Sequence, residues 1–251
     1  WESPKDHRRP PPCLSNSELL GDTRLIDAHI HLDRFNDPMT AWQRMTRAGI
    51  HQALVPGIEP PFQPATICRE AGLRFAFGMH PQSTAPLDWR SQLERALERH
   101  QPAAVGEFGW DRRGGTDFSR VRAQLELAQK QKLPVILHLV GHCPDLLEAV
   151  NAYDLTAQLH RCTGRPQRFK SFWESGHYIS IGPRLRGDFR LAQAVPSTQI
   201  LLETDAETEA DEPWHRLPQL YQEVAQARNI SVEQLIDLVR TNYARFLGGT
   251  S

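Results

Sequence analysis

The chain has 251 residues, 39% of them hydrophobic and 24% charged, and a formal net charge of -1; this length accommodates one large domain with a sizeable core. The charge balance excludes a global basic field of the kind that holds nucleic acid non-specifically, so any polyanion must be bound locally. No run approaches the roughly 18 apolar residues of a membrane span, and the four cysteines, Cys13, Cys68, Cys143 and Cys162, form no CxxC pair, which excludes a zinc ribbon or disulfide framework and makes the reducing cytoplasm the expected compartment.

Residues 1–24 lack the apolar core of a signal peptide. They contain Arg8-Arg9-Pro10-Pro11-Pro12 and read as an extended, flexible leader, possible as a processing product since the chain opens on Trp1. From residue 25 to 251, short apolar runs alternate with longer helical patterns. Strands are predicted at 24–32, 52–57, 74–79, 103–108, 134–139, 156–160, 178–182 and 199–204. Helices are predicted at 40–48, 64–71, 88–100, 118–132, 144–152, 166–175, 188–194 and 217–227, with one more at 231–246 opening on Ser231 and Glu233. Strands each followed by a helix predict an α/β fold, a TIM (β/α)8 barrel in a single domain with an extra C-terminal helix.

In such a barrel chemistry gathers at the carboxyl ends of the strands. His31, His80, Glu107, His138, His160 and Asp205 all fall at or just past predicted strand ends, so they converge on one mouth. In Asp27-Ala28-His29-Ile30-His31-Leu32 the alternation of an extended chain puts both imidazoles on one face, where they can grip a metal ion. Glu107 ends an apolar run between Gly106 and Gly109, and a carboxylate facing a barrel axis is costly unless paired or coordinated. His138 and His160 close consecutive strands and form a second pair; each alone reads equally as a core histidine. Asp205 ends the eighth strand. Four His, one Glu and one Asp suffice for two divalent ions, Zn²⁺ by imidazole preference or Mg²⁺ or Mn²⁺ by carboxylate preference. Because the ligands must be unprotonated, activity is expected to collapse in acid.

These motifs resemble those of the TatD-type metal-dependent deoxyribonucleases of the amidohydrolase superfamily. DAHIHLD at 27–33 is similar to the family's HxH strand, GMHP at 78–81 to GxHP, GEFGWD at 106–111 to GEIGLD, and LLETDA at 201–206 to LETDxP. The resemblance implies a metal-activated water that cleaves phosphodiester bonds of DNA, often as a 3′→5′ exonuclease. By it, His29, His31 and Asp205 hold one metal, Glu107 bridges, and His138 and His160 hold the second. Asp205 also accepts the nucleophile's proton, His80 contacts the scissile phosphate, and Glu203 and Asp111 orient the ligands.

The chain departs from that pattern mainly where substrate is bound. Leu139-Val140 stands where the family has a polar residue and an arginine, His160-Arg161-Cys162-Thr163-Gly164 lacks the phenylalanine of HxFSG, and Glu207 replaces the proline of LETDxP. A local source of positive charge lies between 161 and 190, where Arg161, Arg184 and Arg186 on loops are the expected phosphate contacts and Arg165, Arg168, Lys170 and Arg190 read equally as solvated charge. His142 reads as a further contact or a helix cap. DNA, as single strands or ends, is the expected partner, with no membrane. Two other functions fit the same ligand set: an amidohydrolase or lactonase acting on a small carbonyl substrate, and a subunit of a larger assembly with reduced hydrolysis.

Overall fold

The computed structural model describes residues 24–114, 117–183 and 187–248. Eight parallel strands run in sequence order: β1 (Leu25–Asp27), β2 (Ile50–Gly57), β3 (Arg74–Phe77), β4 (Ala104–Asp111), β5 (Val135–Val140), β6 (Ala157–Cys162), β7 (Tyr178–Ile181) and β8 (Ile200–Leu202). Between them lie α1 (Pro38–Arg47), α2 (Thr66–Ala71), α3 (Trp89–His100), α4 (Phe118–Gln131), α5 (Pro144–Ala152), α6 (Lys170–Glu174) and α7 (Arg190–Ala194), and after β8 come α8 (Pro213–Arg228) and α9 (Val232–Phe246). The sheet closes on itself where Ala28 N donates to the Leu202 carbonyl and Asp205 N to that of His29, each at 2.9 Å. The architecture is a TIM barrel with an added C-terminal helix. None of the described helices is long and apolar enough to cross a membrane.

Local sequence explains the element ends. Asp37 caps α1 by accepting from Thr40 N at 3.0 Å, with Pro38 in the first helical position, where its missing N–H costs nothing. Ser231 and Gln234 form a reciprocal capping box on α9; the carbonyl partner is Gln234, one residue beyond the Glu233 singled out from sequence. The strands are buried nearly throughout, and their apolar residues join those of the helices' inner faces in one continuous core.

Three elements differ from the sequence pattern. The β1 ladder stops at Asp27, because Ala28 to His31 turn their backbone bonds to Leu202, Leu54 and Ala206 instead. The helix expected over 166–175 is a 3-10 turn at Pro166–Arg168 followed by α6. Finally, α8 opens at Pro213 and carries Pro218 inside it. One lost backbone bond is tolerated there because the Pro218 ring is buried against the core side. The leader at 1–24 falls, apart from Arg24, outside the described residues.

Candidate metal centre

Glu107 stands at the middle of the mouth, and its two oxygens face different histidine pairs. Oε2 lies 3.3 Å from His29 Nε2 and 3.6 Å from His31 Nε2. Oε1 lies 2.6 Å from His138 Nδ1 and 2.7 Å from His160 Nε2. Asp205 Oδ1 completes the first group, 3.8 Å from His29 Nε2 and 3.6 Å from His31 Nε2. His80 Nε2 is 3.4 Å from both Glu107 Oε1 and His138 Nδ1. It therefore stands inside the second donor group, closer than a substrate contact alone requires.

Packing of β4 sets this arrangement. At Gly109 a side chain would collide with the His138 carbonyl, and at Gly78 a Cβ would sit 2.7 Å from Gly106 Cα. Only glycine lets β3, β4 and β5 approach so closely, and Gly109 has φ +150°, which disfavours a side chain on its own account. On the outer side, Gln124 of α4 brackets the GxHP turn, accepting from Met79 N at 2.6 Å and donating to the Met79 carbonyl at 3.3 Å.

Around this centre the electrostatics separate bases from acids. Burial lowers the pKa of His29, His31 and His160, keeping those rings neutral. For His138 burial works in the same direction, but its hydrogen bonds to Glu107 and Asp111 outweigh it and raise the pKa. Glu107 is the converse: burial would raise its carboxyl, while His160 and the hydrogen bonds from His138 and His160 hold it well below the usual range. Asp205 is pushed up to about 6 by burial, against the pull of His29 and Arg161. Burial also carries Glu203 well above the usual carboxylate range.

The donor set fits divalent cations. Neutral imidazole nitrogens and two carboxylates converge in one buried space, a combination whose lone pairs repel until a cation joins them. His29, His31 and His160 turn their Nε2 atoms to the shared centre, while their Nδ1 atoms are buried without a hydrogen-bond partner among the described residues.

Supporting groups surround the ligands. Asp111 Oδ2 lies 3.1 Å from His138 Nε2, and the carboxylate is gripped by Arg113, which donates from Nε to Oδ1 at 2.9 Å and from Nη2 to Oδ2 at 2.6 Å. Arg113 holds the Asp111 carboxyl well below its ordinary pKa. Glu203 Oε1 is 3.7 Å from His160 Nδ1, and Glu203 accepts from Arg161 N and Gln158 Nε2. Arg161 sends its guanidinium to Asp205 Oδ2 at 2.8 Å. Above the centre opens a cavity of about 550 Å³ whose wall includes Arg34, His80, Arg113, Arg161 and Asp205.

The structure thus brings His29, His31, His80, Glu107, His138, His160, Asp205, Arg161, Asp111 and Glu203 together. Arg184 and Arg186 lie outside the described residues, and His142 is exposed and lines neither this cavity nor its neighbour. Of the cations left open in sequence, Lys170 and Arg190 pair on the surface with Glu174 and Asp188. Arg34, Arg113, Gln82 and Gln124 were not singled out; the signal for Arg113 was its place directly after the strand-end GEFGWD. The Glu207 departure has a physical counterpart: its backbone N–H donates to Asp211 at 2.9 Å, a bond proline cannot make, and its carboxylate meets Arg34 at 2.9 Å.

A family model described as TatD related DNase matches residues 26–248. No curated protein matches the chain in sequence. Among solved structures it is similar to YJJV, a TatD homolog from Escherichia coli K12, with 26% identity and a TM-score of 0.76 over 90% of this chain and 98% of that one. A TatD family hydrolase from Entamoeba histolytica shares the fold at 15% identity and TM-score 0.78, covering 89% and 98% of the two chains. A 5-methylcytosine deaminase from Klebsiella pneumoniae shares it more distantly, at 14% identity and TM-score 0.62, over 90% and 74%.

Proposed function

The chain belongs to the TatD-related DNase family, and we propose that it is a two-metal phosphodiesterase of DNA, acting as a 3′→5′ exonuclease on single strands or fraying ends. The observation that carries this reading is the division of Glu107, whose Oε2 faces His29 and His31 and whose Oε1 faces His138 and His160. One ion would be held by His29, His31 and Asp205, the other by His138 and His160 with His80 beside it, and Glu107 would bridge them. Bound divalent ions there supply an acidified water and charge neutralisation at a phosphoryl oxygen.

The chain's own groups do the rest. Asp205 is the proton acceptor: its Oδ1 faces the His29 and His31 pair, and Arg161 holds its Oδ2 and so fixes the carboxylate in place. Asp111 holds His138 in orientation by its bond at Nε2, and the Glu203 carboxyl stands behind the Nδ1 side of His160. Arg34, Arg113 and Arg161 give the wall of the mouth the cationic contacts a phosphodiester needs and a small neutral ester does not. The same reading places the enzyme in the cytoplasm, where the free thiols of Cys68, Cys143 and Cys162 stay reduced.

The test is direct. Metal-loaded protein is incubated with end-labelled single-stranded DNA, with duplex DNA, and with a carbonyl ester. Shortening of the single strand from its 3′ end, faster than any ester turnover, supports the proposal. Preferential ester hydrolysis assigns the chain to small carbonyl substrates instead, and no turnover of either favours a role in an assembly.

A further inference from the structure

Beside the catalytic mouth lies a second chamber of about 410 Å³ that sequence reasoning did not anticipate. The two cavities share His138, His160, Arg113 and Arg161 as a common wall. Their charge differs. Glu59, Glu107, Asp205 and Glu207 line the mouth, whereas among the described residues no carboxylate lines the second chamber and four arginines do: Arg112, Arg113, Arg161 and Arg168. A volume of this size accepts a nucleotide-sized group.

The arginines are built in from several elements. The stem of Arg112 lies on the backbone of Gly141, close enough that a Cβ there would sit 3.1 Å from its own Cβ. Gly141 has φ +103°, so the bare backbone that receives this stem is also one a side chain would strain. Arg168 reaches the same short segment from the loop after β6, donating to the Gly141 carbonyl at 2.7 Å and more weakly to that of Leu139 at 3.4 Å. Those bonds use one terminal nitrogen and leave the rest of the fork toward the chamber. No side-chain partner holds the Arg112 guanidinium among the described residues. At the carboxyl end of β5 itself stand Leu139 and Val140, which offer no charge, so the positive charge beside His138 comes from the end of β6 at Arg161 and from the loops after β4 and β6.

We infer that this chamber is a second phosphate subsite, which takes the phosphate next to the scissile one in a nucleic-acid strand. The inference rests on the phosphodiesterase reading for the identity of its substrate. A strand whose scissile group lies over Glu107 must leave the mouth, and the shared wall of Arg113 and Arg161 leads it into this adjoining chamber, which no carboxylate lines among the described residues. Arg112 and Arg168 are then specificity-determining residues: they select a substrate with at least two phosphates over a single phosphodiester.

Thymidine dinucleotides separate these possibilities. Turnover is measured for the bare dinucleotide and for the same molecule carrying an added 5′- or 3′-phosphate, in wild type, in the double variant Arg112→Ala with Arg168→Ala, in Arg112→Glu, and in Arg90→Ala on the outer face as control. In wild type one of the two phosphorylated forms should be favoured about tenfold or more in kcat/KM, the gain expected of one charged hydrogen-bonded contact. The gain should lie in KM, vanish in the double variant and in Arg112→Glu, and persist in Arg90→Ala. Equal turnover of all three dinucleotides, or an undiminished gain in the variants, overturns the subsite. If wild type cuts none of them, calorimetric binding separates the two claims: binding tightened by the added phosphate in wild type but not in the double variant keeps the subsite while the phosphodiesterase reading falls, and equal binding removes both. Inorganic phosphate that binds as tightly as the phosphorylated dinucleotide, and is lost in the same variants, would assign the chamber to free phosphate and overturn the strand claim.

Discussion

The two ends of the barrel bury polar groups in opposite ways. At the amino end they finish on backbone. Asn242 of α9 donates to the carbonyls of Ser197 and Ile200 at 2.8 and 2.9 Å, Gln199 to those of Trp173 and His177 at 2.6 and 3.1 Å, and Tyr221 donates to Ile26 O at 2.9 Å. At the carboxyl end the buried groups finish on one another, imidazole against imidazole and carboxylate against both. The first arrangement is complete as a protein. The second lowers its own stability to make ligands, so a bound cation should act as a stability term for the mouth and leave the floor unaffected.

Breaking the mouth gives the largest effect expected. Replacing Glu107 by Ala removes the bridge, and hydrolysis should fall at least about a hundredfold while the barrel stays folded. Bound metal measured by plasma emission should fall with it, and circular dichroism should match wild type. Near-normal turnover would remove the bimetallic reading.

A change at the floor should do the reverse. Asn242→Ala removes the side-chain donor from the buried Ile200 carbonyl and from the solvent-accessible Ser197 carbonyl and should cost roughly 1 to 3 kcal/mol by urea denaturation, with metal content and kcat unchanged. If Asn242→Ala instead lowered metal affinity, the two ends would be coupled and the contrast between them false.

The floor also holds a group that sharpens the comparison by titrating. Burial pushes His177 down to about 4, and its Nε2 meets Asn151 Oδ1 at 2.9 Å. Between its unfolded value near 6.5 and about 4 the unfolded chain binds the extra proton, so this contribution is present above pH 6.5 and lost as pH falls through that window. Acidification should cost up to about 3 kcal/mol from this residue. The difference in stability between wild type and His177→Gln, followed from pH 7 to pH 4, isolates it from the mouth, and a pH-independent difference would refute it.

The smallest effect belongs to the outer surface. Lys130 bridges Glu94 at 2.7 Å with more than half of its side chain exposed. Lys130→Ala should barely move the urea midpoint, less still in high salt, and leave turnover unchanged. A larger shift would mean that the helical layer depends on charge as the floor depends on hydrogen bonds.

Much of this was legible from residue pattern because it follows from periodicity. Eight apolar runs with helical patterns between them leave few topologies, and strand ends carrying His31, Glu107, His138, His160 and Asp205 must meet at one mouth. What was hidden depends on contacts that no spacing encodes. The position of His80 against Glu107 is set by Gln124, 45 positions away from Met79 on a helix. The arginine chamber depends on a bare backbone at Gly141 that two loops reach independently. The helix expected from 217 begins instead at Pro213, and a chain without tertiary context does not show the buried site in which the Pro218 ring lodges. The His29 and His31 rings meet, Nε2 to Nε2 at 3.3 Å, although the β1 ladder ends before them and the chain bends at Ala28 and His29, because backbone bonds to Leu202, Leu54 and Ala206 hold the segment between its neighbours.

The seam of the barrel carries one more consequence. Asp27 accepts the Thr204 hydroxyl at 2.6 Å across 177 positions of chain, and His29 and Asp205 stand on either side of the same join. The join comes late in the making of the molecule. A ribosome must deliver β2 through β7 and the helices between them before β8 exists to meet β1, so until Asp205 has been made the first ligand group has only His29 and His31. An ion held by His29, His31 and Asp205 would fasten the two sides of this join, and its arrival would mark the moment when the barrel becomes a closed ring.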